Sequence, residues 1–249
     1  MKIGLIGQDI GYSKSKEIFE SFSSDMTYEV MDIQEKNIRD AIYYMQVNKF
    51  AGFNVTKPFK HKIKEYMDCM LLDIYDVGIN CVKFTNKYPG YFEVGASFDG
   101  PSFLYSLMAH KEAHEVDMSN VAILGNGGVV PSIDWTLHTY GRLHGMKRGT
   151  IFARNRGIFS GHFANPQAIF HIANFKANGF GLIINTIPYK AGLNLDFESD
   201  NDFIYFDLNY ADDRLVNIAR QHPKCKLALN GLEMLRLNAI NSYRFMTMF

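Results

Sequence analysis

The chain has 249 residues with 26 basic and 26 acidic side chains, a balance that argues against nucleic acid or an anionic membrane surface as its main partner. At 47% apolar residues it can fill one large core or two small ones, yet no apolar run approaches the ~18 residues of a membrane span. Cys69, Cys81 and Cys225 lack CxxC spacing and read as inert thiols of a reducing compartment. The apolar run at Met1–Gly7 is too short for a signal peptide, so a cytoplasmic, soluble protein is expected.

Strand-like and helix-like segments alternate. Lys2 to Ile6 reads as a strand, Lys16 to Phe22 as a helix and Thr27 to Met31 as a strand. Asn37 to Val47 has helical spacing, with Ile38, Ala41, Ile42 and Met45 on one face. Phe50 to Val55 reads as a strand and Pro58 to Cys69 as a basic helix; Ile79 to Phe84 and Tyr91 to Ala96 form a strand pair. Gly100 to His110 is helical, with Phe103, Leu104 and Leu107 inward. Val121 to Leu124 is a continuously apolar strand, as expected when both faces are covered, and a helix follows over Pro131 to Tyr140. Short strands recur at Ile151 to Ala153, Gly181 to Ile184 and Phe203 to Leu208, before a last helix from Gly231 to Phe249. This alternation predicts an α/β protein with parallel sheets. The expected division is an N-terminal α/β substrate domain over 1–102, completed by 227–249 as the last helix packs back on it, and a Rossmann-like domain over 103–226.

The turn Gly125-Asn126-Gly127-Gly128 runs from an apolar strand into a helix, the context in which backbone N–H groups cradle a pyrophosphate. An ordinary tight turn would use the same glycines. The next strand ends in Arg154-Asn155-Arg156, where a ribose-binding acid would select NAD; a guanidinium there suits a 2′-phosphate instead. A solvated basic loop is the plainer reading, since Lys147 and Arg148 lie close by.

Lys60 falls in the first turn of the helix expected at Pro58, where the helix field disfavours a cation. Positive surroundings make an ammonium shed its proton more readily, which moves Lys60 toward proton transfer. Lys57, Lys62 and Lys64 read as a solvated basic face. Asp99, at a strand-to-helix junction, is the natural acid partner or simply an N-cap. Ser13 and Ser15 precede a helix and could cap it or hold a substrate carboxylate.

These residues resemble the shikimate dehydrogenase family nearly end to end. Ser13-Lys14-Ser15 resembles its Ser-x-Ser carboxylate loop, and Asn54-Val55-Thr56-Lys57-Pro58-Phe59-Lys60 its Asn-Val-Thr-x-Pro-x-Lys segment, the most specific of the set. Gly78-Ile79-Asn80, Phe98-Asp99-Gly100, the glycine turn with Asn155-Arg156, Asp207-Leu208-Asn209-Tyr210 and Gly231-Leu232-Glu233-Met234-Leu235 resemble its further motifs in order. The resemblance implies NADP-dependent interconversion of shikimate and 3-dehydroshikimate, with Lys60 and Asp99 as the catalytic pair. It places Ser13, Ser15, Asn54, Thr56, Asn80, Tyr210 and Asn238 around the substrate, and Gly125, Asn126, Gly127, Gly128, Asn155, Arg156, Thr186 and Gly231 around the cofactor. It calls for no metal, and for a monomer or homodimer.

The chain departs from the family at several positions. Asn238 stands where the family has Gln; Val129 and Val130 replace small residues beside the glycines; and the Gly-Met expected after Tyr189-Lys190-Ala191-Gly192 is missing. The first keeps quinate or another ring hydroxy acid open as substrate. The others keep open a non-catalytic relative with an eroded cofactor site.

Overall fold

The computed structural model describes residues 1–11, 13–71, 77–88, 90–155 and 169–247. The chain divides into two compact units, Met1–Phe98 with Arg236–Phe249, and Asp99–Leu235. The return to the first unit falls at Arg236 rather than at 227, because residues 225–229 form a strand of the second unit's sheet. The first unit ends at Phe98 rather than at 102.

The first unit contains β1 (Lys2–Gly7), α1 (Ser15–Glu20), β2 (Thr27–Asp32), α2 (Ile38–Val47), β3 (Gly52–Val55), β4 (Cys69–Met70), β5 (Cys81–Tyr88) and β6 (Gly90–Ala96). Its sheet runs β2-β1-β3-β5-β6-β4. The β2-β1-β3 portion is parallel, β5 and β6 add antiparallel, and β4 returns parallel to β6. Successive strand residues point to opposite faces, which separates two cores. Ile6, Phe53 and Val55 pack with the predicted inward face of α2, Ile38, Ala41, Ile42 and Met45. Ile3, Leu5 and Tyr28 pack with Phe19 of α1 and with Ala239 and Met246 from the last helix, α6 (Leu232–Thr247).

The helix expected over Pro58 to Cys69 does not form. Residues 57–61 make a turn and Lys62–Tyr66 a short 3-10 helix. Phe59 and Ile63 anchor that segment in the core at 1% and 0% exposure. Cys69 and Met70 are then drawn into extended pairing with Val94 and Gly95, which stops helical winding after one turn. Tertiary strand pairing overrides a weak local preference here.

The second unit contains α3 (Asp99–Met108), β7 (Val121–Leu124), α4 (Val130–Thr139), β8 (Thr150–Ala153), β9 (Ile169–His171), β10 (Leu182–Asn185), β11 (Phe203–Asp207), α5 (Arg214–Gln221) and β12 (Cys225–Leu229). Every pairing in its sheet is parallel, in the order β12-β11-β10-β7-β8-β9. Counted within the unit this is the doubly wound order of dinucleotide-binding folds, and the strand order reverses between β7 and β10. Ligands of such sheets bind beyond the strands' carboxyl ends at that reversal, where the glycine turn at Gly125 lies. β9, α5 and β12 went unread in the sequence. Among the described residues no helix is long and apolar enough to cross a membrane.

Candidate active site

In the first unit, the candidate substrate residues gather at the carboxyl ends of β1 and β3. Asp32 begins the arrangement: its two carboxylate oxygens accept the N–H groups of Asp9 and Ile10 at 3.0 and 3.1 Å, fixing the loop that leaves β1. Ser13 N–H donates to Ile10 O at 3.0 Å. The hydroxyl of Ser13 donates to that of Ser15 at 3.0 Å and accepts the Ser15 N–H at 3.3 Å. Neither serine caps α1, whose N-cap Lys14 makes no side-chain capping bond, so the hydroxyls face one another at a half-buried loop.

Asn54 sits on β3 at 9% exposure. Its Oδ1 accepts the Tyr28 hydroxyl at 3.0 Å, and its Nδ2 donates to Ser242 Oγ at 3.0 Å and to Asn80 O at 3.3 Å. Asn80, at 4% exposure, accepts the Phe98 N–H at 2.9 Å and donates through Nδ2 to Asn238 Oδ1 at 3.1 Å. Ser242, one turn along α6, also donates to Asn238 Oδ1 at 3.4 Å. Asn54, Asn80 and Asn238 therefore belong to one buried hydrogen-bonded cluster, whose amides are held in fixed orientations. Burial pushes the Tyr28 phenol upward against a hydrogen bond from Ser15, so it stays a neutral donor, and it pushes the Cys81 thiol up to about 12, so it stays a thiol.

Lys60 occupies the turn after β3, not a helix terminus, so the field of a long helix does not act on it. Its position is set by packing. Lys60 O accepts the Ile79 N–H at 2.7 Å, and a Cβ on Gly78 would come within 2.8 Å of Lys60 Cβ. Gly78 is therefore bare because the lysine stem lies over it. Thr56, half-buried, donates its N–H to Ile6 O at 3.0 Å and rests its methyl group where a Cβ on Gly7 would be, 2.5 Å away.

In the second unit, Asp99 opens α3 at 5% exposure, and Tyr210 follows β11, half-buried. The N–H of Gly100 donates to Ser132 Oγ at 2.9 Å. Gly125 has φ of +105°, and a Cβ there would lie 2.4 Å from Thr186 Oγ1. Only glycine adopts this backbone and this approach without strain. A Cβ on exposed Gly127, by contrast, would meet nothing within 4 Å, so the turn has open space beside it. The N-cap of α4, Val129, has no side-chain capping bond, which leaves the first-turn N–H groups without a side-chain partner at that residue. Val130 is fully buried and Val129 packs on the same core, so the bulk beside the glycines points inward, away from the turn. Asn126 Nδ2 donates to Asn155 O at 2.7 Å, tying the turn to the end of β8.

These features fit the phosphates of a dinucleotide. Thr186 Oγ1 donates to Leu124 O at 2.8 Å and braces the strand end. Gly231 abuts β11's exit, where a Cβ would lie 2.2 Å from Leu208 O. Arg156 lies outside the described residues. Among the described residues no group of three or more His, Cys, Asp or Glu could hold a metal ion.

Tyr28, Ser242 and Asp32 escaped the sequence reading. Ser242 had left one signal, a polar residue four after Asn238 on an otherwise apolar helical stripe.

The two units define a class: an α/β protein with a parallel-rich unit carrying a polar cluster and a second unit of dinucleotide-binding topology. The family model of the shikimate dehydrogenase substrate binding domain matches residues 5–78. A Clostridium botulinum protein named shikimate dehydrogenase (NADP(+)) is 26% identical over 96% of this chain and 93% of its own length. The solved shikimate dehydrogenase from Aquifex aeolicus superposes with a TM-score of 0.75 at 22% identity, covering 99% of this chain and 92% of that one. A Thermus thermophilus shikimate 5-dehydrogenase solved in complex with shikimate gives 0.74 at 20% identity, over 100% and 93%. Residues 5–78 thus match the substrate binding domain of shikimate dehydrogenases, and the chain as a whole is similar to proteins of that name.

Proposed function

We propose that this chain reduces 3-dehydroshikimate to shikimate, reversibly, with NADP as its cofactor. The observation that carries the reading is the stretch from Asn54 to Lys60. It lies within the matched family segment, its asparagine is locked into the buried amide cluster, and its lysine is packed over Gly78 at the end of β3. The relatives' printed name, shikimate dehydrogenase (NADP(+)), supports both substrate and cofactor.

In this reading the paired hydroxyls of Ser13 and Ser15 hold the substrate carboxylate, and the amides of Asn54, Asn80 and Asn238, with Thr56 and Tyr210, orient the ring hydroxyls. Lys60 moves the proton: it donates to the C3 carbonyl oxygen as that oxygen becomes a hydroxyl, and takes the proton back in oxidation. The Asp99 carboxylate accepts a hydrogen bond from the substrate. The reduced nicotinamide supplies the hydride when bound. The glycine turn, with Asn126 and Asn155, holds the pyrophosphate end; Arg156 holds the 2′-phosphate; and Thr186 and Gly231 shape the crevice. Positioning and charge are the protein's share of the catalysis.

Purified protein given shikimate and NADP should form reduced cofactor. Lys60→Ala should lower kcat by at least about a hundredfold, in line with the usual share of general acid–base catalysis, while the circular dichroism spectrum stays unchanged. Absence of turnover with either NADP or NAD overturns the reading. One observation favours a second substrate. Asn238 is engaged by Asn80 and Ser242 and is one methylene shorter than the family's glutamine, which keeps quinate open as an alternative substrate. A higher kcat/KM for quinate than for shikimate would establish that alternative.

A further inference from the structure

The loop that follows β10 is held by a polar device centred on Asp207, a residue given no role above. Asp207 ends β11 at 2% exposure. Its Oδ1 accepts the N–H and the Nδ2 of Asn209 at 2.9 and 2.6 Å, and its Oδ2 accepts Asn185 Nδ2 at 3.1 Å and the Tyr205 hydroxyl at 2.9 Å. With their NH2 groups turned to the carboxylate, both asparagines grip the loop. Asn185 Oδ1 accepts the Ile187 N–H at 3.0 Å, while Asn209 Nδ2 donates to Ile187 O at 2.9 Å and Asn209 Oδ1 accepts the Tyr189 N–H at 3.1 Å. Ile187 is thus held at both its donor and its acceptor. With Thr186, it is also a residue against which Gly125 packs: a Cβ on that glycine would lie 3.0 Å from the Ile187 side chain. One carboxylate therefore fixes the wall opposite the glycine turn.

We propose that Asp207, Asn185 and Asn209 form a carboxylate–amide clamp that sets the rigidity of residues 187–189 and, resting on the proposed function, the affinity for NADP. They are positioning residues, since they act through Ile187. The carboxylate is surrounded by four neutral donors, so the amide orientations follow from its acceptor-only character.

Asn209→Leu keeps the branching at Cγ and removes both side-chain bonds of this residue to the loop, those to Ile187 O and the Tyr189 N–H. It should raise amide hydrogen exchange of residues 187–192 at least fivefold, and weaken NADP binding measured by calorimetry about tenfold, with the KM for shikimate within twofold. Val216→Ala, which opens a cavity on α5 of the same unit, serves as the control: it should lower the Tm without the selective exchange increase or the loss of NADP affinity. Wild-type exchange rates for 187–192 in Asn209→Leu overturn the clamp, whatever the activity. Raised exchange with unchanged NADP affinity overturns its role toward the cofactor. A wild-type protein that binds no NADP overturns the proposed function instead, and the exchange measurement still decides the clamp.

Discussion

Glu93 lies on β6 at 9% exposure, with its carboxyl hydrogen-bonded to that of Asp68 and accepting from Gln46 Nε2. Burial raises it first, and the neighbouring Asp68 adds to this, bringing it to about 7, while the same hydrogen bond lowers Asp68. Protonated Glu93 donates to Asp68, so the native state holds this proton more tightly than the unfolded chain does. The stability it contributes is complete below the ordinary glutamate pKa and declines as pH rises toward about 7. Asp68 has the opposite sign, and its window lies at lower pH. Glu93→Gln retains a donor to Asp68 at every pH. Its Tm should fall less between pH 5 and pH 8 than that of the wild type, and at pH 8 it should be the more stable by about 1–2 kcal/mol. Parallel Tm profiles in differential scanning calorimetry would show that the pair does not titrate in this range.

At the scale of elements, a close approach of α3 and α4 sits next to Asp99. A Cβ on Gly100 would fall 2.1 Å from Thr136 Oγ1 and 2.3 Å from Ser132 O. Ser132 O is backbone and cannot yield without moving α4, so Gly100→Ala should cost about 1–3 kcal/mol, the usual range for overpacking. Because Asp99 is the preceding residue, kcat/KM should fall with the Tm; a variant as stable and active as the wild type would contradict the packing argument. Elements with a strong period were legible beforehand. The inward face of α2 was named residue for residue, because four apolar side chains at helical spacing have one way to be buried. The segment after Pro58 was misread because its basic, helix-permissive residues say nothing about Cys69 and Met70 pairing with a strand more than twenty positions later. Strands as short as β4 and β9, of two and three residues, are defined by their partners and carry too few residues for a pattern of their own.

For the molecule as a whole, the last stretch of chain completes the first unit. Ala239 and Met246 join the core of Ile3, Leu5 and Tyr28, and Ser242 bonds to Asn54. A chain ending at Leu235 should therefore lose the cooperative unfolding of the first unit and its binding of shikimate, while the parallel sheet of the second unit stays protected from hydrogen exchange. Retained shikimate binding would show the first unit to be complete without α6.

The sequence by itself determined the alternation of elements, the glycine turn, and the residues of the candidate site as members of motifs, because these depend on local periods and fixed spacings. Only the tertiary structure decided what those residues are bonded to. Lys60 was singled out for a helix field that is absent, and it is held instead by Gly78 and Ile79. Asn238 stood out only as a departure from the family's glutamine, and it is bound to Asn80 and Ser242. Hydrogen bonds between residues far apart in the chain have no period to betray them. They form where the folded backbone brings buried donors and acceptors together, and burial makes leaving them unpaired costly.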